Sequence, residues 1–263
     1  MHPRLRALVT SGLLLTALTT MSAALAADIG LSPARLSLTA APGATVSAEA
    51  SVFSTSANPI AVTITMGDWT QSSDGKLTFL PVGSADHSAT PWATPSATSL
   101  VVPPGGTSTV RISLQVPDDP SLAGTYQTVV FFETEGTPPK NSGTQFLTKQ
   151  RLGLVVYVTI AGTGTSGSKL SDMYLDGKDM MLVLDNTGNT LMRASGKVEL
   201  RDRSGATVAT LPVGDVPVMR GSERDLALAL PTDLPAGYYV ALALIDDSRG
   251  GSLVGQLPFQ VGN

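Results

Sequence analysis

His87 is the first residue to test for chemistry, because it is the one histidine beyond the first two residues and the chain has no cysteine. It lies in the polar loop GSADHSATPWATP, where a lone histidine is expected to be solvated. A Ser–His–Asp arrangement would have to run through it, and neither a G-x-S-x-G elbow nor an H-E-x-x-H pair occurs. The missing thiol removes nucleophilic cysteine, thiolate zinc sites and iron–sulfur clusters. Glu133 and Glu135 alternate onto one face at the end of a strand pattern and read as a solvated strand end, not as a general acid and base. Asp118-Asp119 sits in a proline-flanked turn and caps it. DNTGNT, 185–190, is too poor in carboxylates for a calcium loop and reads as a hairpin turn. GTGTSGSK, 162–169, imitates a phosphate-binding loop, but its lysine falls one place late and no helix signal follows. The sequence thus offers no catalytic residue, metal set, cofactor motif or small-molecule site.

What remains is a cation. SPARLSL, 32–38, reads as a first strand with Arg35 among small and apolar neighbours. On strict alternation Arg35 faces away from Leu36 and Leu38. It is either a solvated or surface-paired arginine or an anchor for something negative. Trp92, among prolines, is either an exposed recognition residue or a tryptophan folded back on its own sheet. Trp69 ends a strand pattern and should pack at the core edge.

The elements that would position these residues are strands. Val46, Ala48, Ala50 and Val52 alternate with Ser and Glu; Ile60, Val62 and Ile64 with Ala61 and Thr63; Val110, Ile112, Leu114 and Val116 with Arg111, Ser113 and Gln115. A period of two marks half-buried sheet. AAPGA, SANP, SSDGK, VPPGG and PDDPSLAG supply turns between the runs. No window shows a capped helical stripe. Many short strands at this spacing imply a sandwich or barrel.

Residues 1–26 read as a signal peptide: basic MHPRLR, an apolar run, and Ala24-Leu25-Ala26 as the cleavage site. The apolar run is short for a membrane span, and no later segment is long and apolar enough to cross a bilayer. Cleavage leaves 237 residues with 15 Lys+Arg against 21 Asp+Glu, a formal charge of −6. That balance, without basic clusters, argues against nucleic acid and anionic lipid as partners. An exported chain without disulfides must be held by burial, which its 42% hydrophobic content permits. The expected location is the periplasm, the extracellular space or the cell surface.

Residues 161–168 contain no large apolar side chain and read as a flexible Gly/Ser/Thr linker. Beyond it come seven apolar runs: KLSDMYL, DMMLVLDN, GKVELRD, ATVATLPV, SERDLALAL, GYYVALALID and VGQLPFQV. Seven strands in under a hundred residues is the size of an immunoglobulin-like sandwich. The expected fold is all-β, with two tandem immunoglobulin-like β-sandwich domains at 28–160 and 169–262.

The first of these resembles the periplasmic pilus-assembly chaperones (PapD-like). The resemblance is carried by SPARLSL, ANPIAVTITMGDWTQSSDGKL, LVVPPGGTSTVRISLQV, AGTYQTVVFFETE and QRLGLVVYVTI, in that order. It implies a non-enzymatic chaperone for pilin-like or other exported protein subunits. In that family a strand edge completes the subunit's sheet, and a cationic pair in the interdomain cleft grips the subunit's C-terminal carboxylate. Arg35 matches the first cation. The best-aligned position for the second holds Gly153, with Arg151 and Lys149 nearby. Phe146, Leu152 and Leu154 are the implied strand-binding residues, although TPPKNSGTQFLTKQ is more polar than the family's donor stretch. DWTQSSDGKL and LVVPPGGTSTVRISLQVPDD also fit structural or adhesive cell-envelope proteins built of two such modules, in which Arg35 would have no special task.

Overall fold

Alternating burial organises the first half of the chain. In the computed structural model, which describes residues 29–135 and 149–262, the first sandwich comprises strands β1 (Ile29–Ser32), β2 (Arg35–Ala40), β3 (Thr45–Ser54), β4 (Ile60–Gln71), β5 (Leu77–Leu80), β6 (Ala93–Pro95), β7 (Ser99–Val102), β8 (Thr107–Gln115), β9 (Thr125–Thr134) and β10 (Arg151–Ile160). The leader region and Phe146 lie outside the described residues. One sheet runs β1-β3-β8-β6, and the other runs β2-β10-β9-β4-β5 with β7 also on β4. Val52, Val110, Ile112 and Leu114 of the first sheet meet Phe132, Leu154, Val156 and Val158 of the second. Each such side chain contributes about 1.5–3 kcal/mol by leaving water.

The chain changes sheets early. β1 pairs antiparallel with β3, and after Pro33 and Ala34 the chain continues as β2, parallel to β10. This second pairing begins with Arg35 opposite Val155 and ends with Ala40 opposite Ile160. β2 therefore flanks only the later part of β10.

The second sandwich comprises β11 (Ser168–Asp176), β12 (Asp179–Asn186), β13 (Met192–Arg201), β14 (Thr207–Val218), β15 (Glu223–Ala229), β16 (Gly237–Asp246) and β17 (Ser252–Val261). Its sheets are β11-β12-β15 and β14-β13-β16-β17. They enclose Met180, Leu182, Leu184, Met192, Leu200 and Ile245. The seven runs expected from periodicity are these seven strands.

The segment between the sandwiches is more constrained than its composition suggests. Asn189 donates to Thr163 O at 3.0 Å and accepts from Thr165 N at 2.7 Å, while Thr163 Oγ1 accepts from Gly124 N at 2.9 Å. Small residues here allow close approach. A Cβ on Gly124, which has φ +77°, would lie 2.1 Å from Asn189 O. The composition of 161–168 does not reveal these partners, because Gly124 lies 39 residues before Thr163 and Asn189 lies 26 residues after it.

Candidate functional site between the sandwiches

β9 reads TYQTVVFFET and is buried on both sides, unlike its half-buried neighbours. Val130 and Phe132 enter the first core, whereas Val129 and Phe131 join a separate cluster with Trp69, Tyr157 and Met219, flanked by Val155 and Leu191. Met219 and Leu191 come from the second sandwich, so this cluster seals the two modules together. Trp69 belongs here and not at the edge of the first core; its ring meets Tyr157 edge-on at 6.1 Å. Polar contacts continue the seam. Arg220 donates to Ala123 O at 2.7 Å, Arg224 to Ser73 O at 2.6 Å, and Leu191 N to Thr125 Oγ1 at 3.1 Å.

Arg35 opens onto this seam. Its alternate neighbours Leu36 and Leu38 pack on the first core, which sends the guanidinium to the outer face. It lies 3.6 Å from Asp215, whose carboxylate is also paired, more closely, with Arg193. Arg35 and Asp215 keep 43% and 57% of their side-chain exposure, and Arg193 only 20%. The hydrogen bond from Arg193, with the charges of Arg193 and Arg35, holds the Asp215 carboxyl below its ordinary pKa. Beside them, burial pushes the Tyr157 phenol up to about 12, against the pull of the same two arginines.

Asp215 owes its position to a β-bulge. Ala194 pairs with Val216 and Gly196 with Val213, which leaves Gly214 and Asp215 together opposite Ser195. The extra residue re-aims a side chain that regular alternation would place elsewhere.

Lys149 and Arg151 stand elsewhere. Both pair with Glu133, at 3.4 and 3.8 Å, and the Arg151 guanidinium lies 3.6 Å above the Phe131 ring. Arg151 is four residues before Val155, the residue opposite Arg35, or roughly 13 Å along the strand. The second cation beside Arg35 is therefore Arg193, from the other sandwich. The sequence carries a faint signal for it: Arg193 stands between the buried Met192 and Ala194, as Arg35 stands among apolar neighbours. Leu154 is fully enclosed in the first core and Leu152 packs partly against it.

The backbone of β10 matters as much as its side chains. Val155 N donates to Ala34 O and Ala161 N to Ala40 O, so the odd-numbered residues turn their N–H and C=O groups away from β9. Arg151 and Gly153 share that direction, and among the described residues no strand pairs with them on that side. The result is a short open edge ending where Arg35 begins.

The seam also holds a polar cleft of 510 Å³ lined by Thr70, Gln71, His87, Gln127, Asn189 and Arg220 among others. His87, expected in solvent, is half-buried, with its ring 5.8 Å from that of Tyr126. Burial, then the Arg220 charge, holds the imidazole below its ordinary pKa. Trp92 folds back onto Tyr126 at 4.6 Å, the second of its two expected placements.

No protein-family model and no curated protein matches the chain. Solved structures do. The class 5 fimbriae chaperone CfaA aligns over 88% of this chain and 100% of its own, at 11% identity and TM-score 0.50. A CsuC-CsuE chaperone-tip adhesion subunit pre-assembly complex from archaic chaperone-usher Csu pili of Acinetobacter baumannii aligns over 88% and 98%, at 13% identity and TM-score 0.48. The Salmonella enterica SafA pilin in complex with the SafB chaperone gives 89% and 96%, at 15% identity and TM-score 0.45. At such identities the likeness is one of fold, and that fold, two immunoglobulin-like sandwiches in tandem, is the one this chain shares with the PapD-like fimbrial chaperones.

Proposed function

We propose that the protein is an exported, non-enzymatic chaperone for pilus or other surface-protein subunits. A subunit strand pairs with the open edge of β10, and its terminal carboxylate is held by arginine in the cleft between the sandwiches. The observation that carries this reading is the adjacency of two features. Backbone groups of Arg151 and Gly153 that no strand among the described residues pairs with offer strand addition, and Arg35 stands beside the end of that edge. Backbone pairing supplies affinity without demanding one sequence, and a guanidinium supplies a defined end point through charge-assisted bonds. The fold shared with fimbrial chaperones is consistent with this assignment.

Lys149 and Arg151 flank the edge and steer or pair with the incoming strand, with Phe146 preceding them. Leu152 and Leu154 hold the register of β10 from inside. Export directed by residues 1–26 would put the chain in the periplasm, in the extracellular space or at the cell surface. Among the described residues no helix is long and apolar enough to cross a membrane.

The test is a photo-crosslinker in place of Lys149 in the exporting cell, with and without Arg35→Ala. The expected product is an adduct with one exported subunit. It is lost in the arginine variant and lost again when the subunit's C-terminal residues are deleted. An adduct confined to a stable surface assembly, indifferent to Arg35, would instead assign the chain to the structural, adhesive class.

A further inference from the structure

The arginine pair is already occupied. Arg35 of the first sandwich and Arg193 of the second converge on one carboxylate, Asp215, and among the described residues no other acid is paired with either. The contact looks like a staple between modules, but the seam does not need one. Met219 and Leu191 are packed against Trp69, Val129 and Tyr157, and Arg220 and Arg224 reach backbone carbonyls of the first sandwich. An ion pair as exposed as Arg35–Asp215 adds little to stability.

Local structure nevertheless places Asp215 there. Strand β14 carries an extra residue at this point, and the bulge turns the carboxylate toward Arg35. Neither bulge residue serves the core: Val213 and Val218 are buried, whereas Asp215 is exposed and a Cβ on Gly214 would meet nothing within 4 Å. The pairing is also uneven. Arg193 holds the carboxylate closely, and Arg35 stands off at 3.6 Å.

We propose that Asp215 is a resident carboxylate that occupies the Arg35–Arg193 pair in the empty protein and is exchanged for the carboxylate of a bound polypeptide. This deepens the chaperone reading above and rests on it. The exchange is one carboxylate for another, so the charge at the pair is the same before and after, and no covalent bond changes. Departure of the ligand returns the arginines to Asp215 and not to an unpaired state.

The arrangement also confers selectivity. A tethered carboxylate competes at an effective concentration in the millimolar range or above, so a small free anion is held off. A polypeptide paired along β10 is tethered as well, because Gly153 lies two residues, roughly 7 Å, from the position opposite Arg35. Only a ligand engaging both the strand edge and the arginines matches the resident acid.

The experiment uses N-acetylglycine as a free α-carboxylate and its uncharged amide as the control. Each is titrated into the mature chain while the Nε–Hε resonances of Arg35 and Arg193 are followed by NMR. Asp215→Asn should tighten N-acetylglycine binding about 10-fold, as expected if the free pair is populated about one part in ten in the wild type. The amide should give no response, and adding Arg35→Ala to Asp215→Asn should remove the gain. Equal affinity in wild type and Asp215→Asn, an equal response to the amide, or tightening that survives Arg35→Ala would each overturn the exchange. The in-cell adduct separates the two ideas. If the Lys149 adduct still depends on Arg35 while Asp215→Asn leaves acetylglycine affinity unchanged, the exchange fails and the chaperone reading stands. If the titration behaves as expected and no subunit adduct forms, the anion site stands and the chaperone reading falls.

Discussion

Asp68 is a carboxylate with no solvent access, at the point where β4 passes from the core to the seam. Its oxygens accept from Ala85 N at 3.0 Å, from Ser88 Oγ at 2.7 Å and from Thr90 Oγ1, and thereby fix the loop that carries His87. Burial pushes its pKa up, yet the donors led by Thr90 outweigh it and leave the carboxyl below its ordinary value. Asp247 behaves alike in the second sandwich, where Ser168 Oγ and the N–H groups of Arg249 and Gly251 outweigh burial. Because both folded values lie below the unfolded ones, their contribution is present above the ordinary carboxylate pKa of 3.8 and is lost as pH falls through the folded values. Thermal unfolding followed from above pH 3.8 down to about pH 2 should therefore show Tm dropping toward acid, and dropping less in Asp68→Asn. Asp68→Ala strands several buried donors and should cost about 3 kcal/mol at neutral pH, read as a fall in the urea midpoint. An unchanged midpoint would mean that water replaces the carboxylate.

Strands, rather than single residues, decide what faces the cleft. β9 was visible as a strand from its sequence, but VVFF gives no alternation, and its second apolar face announces a neighbouring module only once β10 and β4 lie beside it. Arg35 was legible because one cation stood in an apolar strand. Arg193 was not paired with it, since the two arginines, more than 150 residues apart, meet only through Asp215, which depends on the bulge in β14. A bulge leaves only a weak mark in sequence: here Gly196 on one strand and Gly214 on the other. Gly196 is required. Its φ is +151°, and a Cβ there would sit 2.1 Å from Leu244 O on β16. Gly196→Ala should thus force β13 and β16 apart, lower stability by more than about 2 kcal/mol, and move Asp215 away from Arg35. Urea unfolding checks the first effect, and loss of the Arg35 Nε shift difference between wild type and Asp215→Asn checks the second. A variant with wild-type stability would show that β16 yields without cost.

At the scale of the whole molecule, the angle between the sandwiches determines whether an edge strand and an arginine pair act as one site. Flexible tandem modules would place Arg35 and Arg193 together only part of the time. Here the apolar cluster around Trp69 and Tyr157 is closed by Met219, which is itself buried. Domains joined through such a seam unfold together if the seam is worth a sizeable share of each domain's own stability. Met219→Asp puts an unpaired charge into that cluster, where desolvation is costly, without touching either sandwich core. The expected result is a protein with native far-UV circular dichroism and a larger radius of gyration by X-ray scattering. Calorimetry should give one transition for the wild type and two for the variant. On the proposed chaperone reading, subunit adducts through Lys149 should fall with it, although both Arg35 and the β10 edge are intact, because the arginine site and the strand edge are then no longer held at one separation. Retention of the wild-type radius, one transition and full adduct yield would mean that the polar bonds of Arg220 and Arg224 alone hold the modules together, and that the cluster at Met219 is packing without consequence for the site.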